Sequence, residues 1–134
     1  MRPDIVDAPV MKAIMQSESP PQPSRAGLLD EISRSVVHLY KEHIGQGPTK
    51  ARTYICDDLV VCVLQGSFST GERTLLKHGE TAAVTSHRQA LEAALRQPLI
   101  DTVEQLVGRK VIGLTSGVQP DAEMITEVFL LESG

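Results

Sequence analysis

Residues 50–66 read KARTYICDDLVVCVLQG. Two runs rich in β-branched residues, KARTYIC and LVVCVLQG, flank a pair of aspartates, which is the pattern of a β-hairpin. Aspartate tolerates turn conformations and bonds to nearby backbone amides, so Asp57 and Asp58 read as the turn. With a two-residue turn, Cys56 lies opposite Leu59 and Cys62 opposite Thr53. Cross-strand partners share a face, so Cys56 points with Tyr54, Leu59 and Val61, and Cys62 with Thr53, Ile55 and Val60. The chain's two cysteines then can neither be bridged nor share a metal. A three-residue loop would put them on one face, but as diagonal neighbours about 7 Å apart. A metal at the aspartates would need further oxygen ligands in the same loop, and the loop has none.

Upstream, Ser24 is a candidate N-cap for a helix running to Ile44. Leu28, Leu29, Ile32, Val36, Leu39, Tyr40 and Ile44 recur at steps of three and four and form one apolar stripe. His38 and His43 fall roughly 140° apart on that helix, so they cannot share a metal. GQGP at 45–48 stops the helix, since glycine supplies the left-handed cap and proline forbids continuation. Five of the eight prolines precede Ser24, and residues 1–24 read as a flexible Pro-rich arm with an apolar patch at Val10, Met11, Ile14 and Met15. The start carries Asp4 and Asp7 and lacks the apolar core of a signal peptide.

Downstream, Ser69 and Glu72 form a capping box for a short helix containing Leu75 and Leu76 and ending near Gly79. A longer helix follows over about 81–107, with Val84, Leu91, Leu95, Leu99, Val103 and Leu106 on its apolar side. Pro98 predicts a kink or break. His78 and His87 flank the Gly79 junction as solvent-facing residues. KVIGLTS reads as a third strand, GVQPDAE as a loop and EMITEVFLLE as a fourth strand. The order α-β-β-α-α-β-β predicts an α+β two-layer sandwich, an antiparallel sheet with helices on one face, within a single domain at 25–134. One sheet face then stays uncovered, either Val60, Cys62 and Leu64 or Val61 and Val63, depending on register. An open apolar face is commonly hidden by self-association or a partner.

Composition narrows the function. The 134 residues carry a net charge of −4, which argues against a nucleic-acid partner because such affinity comes from neutralising phosphates. Aromatics are 3% with no tryptophan, so stacking platforms for bases are missing. No apolar run approaches the ~20 residues a membrane-spanning helix needs. Two cysteines make no disulfide framework, and a reducing cytoplasm, peripheral at most to a membrane, is the expected compartment. Nucleophile elbows, zinc-protease motifs, Walker loops and dinucleotide fingerprints are all missing from the sequence. The element order is also that of a type II KH module, but the junction KHGETAA lacks the GxxG loop that clamps nucleic-acid backbone.

From the first helix onward the chain resembles the MpsC-like family, named for a component of a sodium-translocating, membrane-potential-generating system. The resemblance covers about residue 28 to the C-terminus. It is carried by Gly45, Gly47 and Pro48 of G-x-G-P, then TYICDDLVVCVLQG, STGERTLL, HRQALEAALRQPL and VGRKVIGL, in that order. It implies a small domain tied to a membrane ion or inorganic-carbon system, with no known catalytic residue. The family often has an aspartate in the loop after its third strand, where this chain reads TSGVQPD with Gly117.

These readings converge on a non-enzymatic accessory or regulatory domain without a cofactor. It is expected to self-associate, with a dimer favoured, and to dock on a protein of a membrane complex. The alternative is a sensor of a small ligand or anion, because free amides at a helix N-terminus favour anions. Its candidate residues are Gly47, Pro48, Asp58, Ser69, Glu72 and Arg73.

Overall fold

The computed structural model describes residues 24–133, so the arm expected at 1–24 lies outside the described residues apart from its last position. Helix α1 spans Ser24–Ile44. Its stripe buries Ile32, Val36 and Tyr40 completely, with Leu28, Leu39 and Ile44 packed at the margin. Gly45, at φ +91°, ends it as GQGP predicts, and the Gly45 amide donates to the Lys41 carbonyl at 3.0 Å.

Strands β1 (Lys50–Cys56) and β2 (Leu59–Gln65) form the hairpin, in the register of the two-residue turn: Cys56 opposite Leu59 and Thr53 opposite Cys62. Asp57 takes φ +53°, a left-handed conformation that aspartate tolerates better than most side chains. Helix α2 (Thr70–Lys77) starts on the expected capping box, with Ser69 Oγ accepting from the Glu72 amide and Glu72 Oε1 from the Ser69 amide. Helix α3 spans Thr81–Val107 and runs unbroken through Pro98, contrary to a break at that position; flanking turns packed on the core hold the helix despite the missing donor. Gly108, at φ +73°, caps it.

Strand β3 runs Val111–Gln119, a 3₁₀ turn covers Pro120–Ala122, and β4 runs Met124–Leu131. Gly117, Val118 and Gln119, expected in a loop, are therefore strand residues, because they keep pairing with Thr126, Ile125 and Met124. The sheet order is β1-β2-β4-β3 and every neighbouring pair is antiparallel. The result is the expected α+β fold, with a four-stranded sheet and three α-helices among the described residues. The core lies between helices and sheet, where Val60, Cys62, Leu64, Ile125, Phe129 and Leu131 meet Ile32, Val36, Leu95, Leu99 and Val103. Alternation puts Leu59, Val61 and Val63 on the opposite, outer face. Among the described residues, Cys62 and its two inward neighbours are thus the covered set, and the Val61 set is the open one.

Candidate functional site

Strand alternation places Glu127 on the same side as Ile125 and Phe129, so a carboxyl enters the core with them. Glu127 is fully buried. Its cross-strand neighbours are Cys62 on β2 and Ser116 on β3, and Cys62 in turn faces Thr53 on β1. A polar row therefore crosses the helix-covered face of an otherwise aliphatic sheet. It extends to α1 through Ser33 Oγ, 2.8 Å from Thr53 Oγ1.

Two helical residues close over this row. Tyr40 Oη lies 2.7 and 2.6 Å from the two oxygens of Glu92 and 2.5 Å from Glu127 Oε2. The Ser116 hydroxyl donates to Glu127 Oε1. Burial, then the Glu92 carboxyl, push Glu127 up to about 9. Burial and the two carboxyls drive the Tyr40 phenol far above its ordinary value. Burial also pushes the Cys62 thiol up to about 11, so it is an inert core thiol. Glu92 and Ser116 border a cleft of about 340 Å³ between α3 and β3, beside Arg96 and Gly117. A Cβ at Gly117 would stand 2.9 Å from Thr126 Oγ1.

One turn before Glu92 on α3, Arg88 is also fully buried. Its guanidinium makes a two-pronged bond to Glu72, both at 2.8 Å, and donates to the Ser67 carbonyl at 2.7 Å. It also stacks over the Phe68 ring, 4.5 Å from the centroid. Burial alone would raise the Glu72 carboxyl, but hydrogen bonds from Arg88 and the Ser69 amide outweigh it and hold Glu72 below the usual range.

The residues singled out in the sequence fall into separate places. Ser69 and Glu72 cap α2, and Glu72 also anchors Arg88. Arg73 makes a two-pronged pair with Glu123 at 2.8 and 2.9 Å, which holds the Glu123 carboxyl below its ordinary range. Asp58 accepts from Arg109 at 2.6 Å, and its carbonyl accepts from the Leu131 amide, fastening the hairpin turn to the end of β4. Gly47 packs on α1, where a Cβ would sit 3.4 Å from Val37 and Lys41 side-chain atoms, and Pro48 is buried beside it. The capping box and Arg73 are thus internally engaged, and the sequence reading missed Tyr40, Glu92, Arg88 and Glu127 as polar core groups. The period of two through Ile125, Glu127 and Phe129 was the available signal for one of them.

The outer sheet face contrasts with this interior. Tyr54 on β1, Leu59 on β2 and Leu130 on β4 are 51%, 38% and 43% exposed. Val61 and Val128, paired across β2 and β4, lie between them. Ile112, the extra residue of a bulge between Val111 and Gly113, adds another exposed aliphatic group at the β3 edge. Among the described residues no three His, Cys, Asp or Glu side chains converge as metal ligands, and no helix is long and apolar enough to cross a membrane.

No curated protein and no solved structure matches the chain. A family model does, over residues 24–133, described as the Na+-translocating membrane potential-generating system (MpsC). That span takes in every strand and helix described above, and the chain belongs to the MpsC family.

Proposed function

We propose that this chain is a non-enzymatic accessory domain of a membrane-potential-generating system, and that it works by docking its open sheet face, first of all on a second copy of itself. The supporting observation is the row formed by Tyr54, Val61 and Val128 with Leu59 and Leu130 beside it, an apolar strip on the sheet face opposite the one on which α1 and α3 pack. Exposed contiguous apolar patches of this type mark interaction surfaces on soluble domains. The interior offers staples rather than reactive groups: its carboxyls, phenol and guanidinium bond to one another. The family's link to a sodium-translocating system supplies the setting. Light scattering during size-exclusion chromatography tests the association. A mass twice that of one chain at micromolar concentration supports it, and a clean monomer there overturns it.

A further inference from the structure

We propose that one proton shared by Glu92 and Glu127 holds α3 against the sheet, and that its loss at alkaline pH frees Glu92 to swing toward Arg96 and open the α3–β3 cleft. The geometry restricts the charge state. A phenol carries a single proton and can donate it to one carboxylate only. Tyr40 Oη nevertheless stands within 2.7 Å of both carboxyls. The second contact is attractive only if the other carboxyl brings a proton of its own, since two ionised carboxylates on one hydroxyl repel.

Among the described residues, the groups bonded to this cluster bring no positive charge. From α1 comes Tyr40, from β1 Thr53, from β2 the Cys62 thiol, and from β3 the Ser116 hydroxyl. On α3 itself, Arg88 is committed to Glu72 of α2 and to Ser67, and Arg96 donates to the Leu114 carbonyl at 2.7 Å. Burial acts in the same direction, raising the Glu127 carboxyl to about 9. Exchange of the proton needs no unfolding, because Glu92 lines the cleft and Ser116 is exposed there.

When the proton leaves, Glu127 cannot move, being held in a central strand, and Tyr40 is sealed in the core. Glu92 is the member beside open space. Arg96 lies four residues further along α3, the spacing and order at which a glutamate and an arginine pair on a helix surface. That new pair would take Arg96 from the Leu114 carbonyl and uncouple α3 from β3. The Glu92–Glu127 pair and the docking surface lie on opposite sides of the sheet.

Carbon-13 NMR of glutamate carboxyls in the full chain tests it, together with hydrogen exchange from pH 6 to 10. One glutamate should titrate two or more pH units above the rest, and that titration should vanish in Glu127→Gln. After correction for intrinsic base catalysis, protection of amides 89–96 should fall about tenfold per pH unit in the wild type and stay flat in the variant. Titration of every glutamate in the ordinary carboxylate range would overturn the proposal, even if the variant failed to fold. So would an equal loss of protection in wild type and variant.

Discussion

Glu92 on α3 and Glu127 on β4 meet on one hydroxyl, that of Tyr40 on α1, at 2.6 and 2.5 Å. Three elements far apart in sequence are thus tied at a point where an aliphatic core would have served. A buried polar network of this kind is costly if any member is left unsatisfied, and so it fixes the relative placement of the helices and the sheet.

Tyr40→Phe removes the shared donor and leaves two buried carboxyls facing an apolar ring. The loss should be about 1–3 kcal/mol at neutral pH, the range for stranding a buried polar group. Urea denaturation should show a lower midpoint with an unchanged slope. A variant as stable as the wild type would mean that the hydroxyl is idle.

Arg88→Met strips Glu72 of its buried partner and the Ser67 carbonyl of its donor. Breaking one side of a buried pair costs about 3–5 kcal/mol. Arg88→Lys should rescue little, because a point charge cannot reproduce the two-pronged bond. Removing both charges, in Arg88→Met with Glu72→Gln, should recover part of the loss in the same denaturation assay.

Stability should fall at both ends of the pH scale. Glu72 and Glu123 have depressed carboxyls in the folded chain. Their contribution is present above the unfolded value near 4.5 and is lost as pH drops through the folded values. Glu127 has the opposite sign: raised from 4.5 to about 9, its contribution is complete below about 4.5 and is lost as pH rises toward 9. Thermal melts across pH should therefore peak in the mildly acidic range, and Glu127→Gln should flatten the alkaline limb alone.

Gly66→Ala should be among the most damaging single-methyl additions. Gly66 sits at φ +82°, and a Cβ there would lie 2.1 Å from Thr49 Oγ1. Left-handed strain and the clash act together, so the cost should exceed about 1 kcal/mol. Gly79→Ala keeps the strain without a neighbour within 4 Å, and should cost less. Differential scanning calorimetry of the two variants separates the terms.

The hairpin, the capping box and the helix stops were legible because each is a local contest settled within a few residues. Strand parity even placed the cysteines correctly on opposite faces. The choice of open face was not legible, since both sides of LVVCVLQ are apolar and only packing against Ile125, Phe129 and the helices decides between them. Arg88 and Glu92 escaped notice for a related reason. They occupy the buried stripe of α3 at the i and i+4 steps between Val84 and Leu95. Charge in a helical stripe reads as solvent-facing unless its partner is known, and the partner of Glu92 is 52 residues away. Pro98 shows the same override, with tertiary packing holding a helix that local chemistry would interrupt.

The claim that the outer sheet face is the docking surface is tested most directly by methyl NMR with a soluble paramagnetic relaxation agent, at a concentration where the chain is associated. Leu130 and Leu75 are matched controls, being 43% and 41% exposed in a single chain, one on the open face and the other on α2. Docking through the sheet predicts that Leu130, Val61 and Val128 methyls are shielded from the agent while Leu75 stays fully relaxed. Equal relaxation of Leu130 and Leu75 would contradict it.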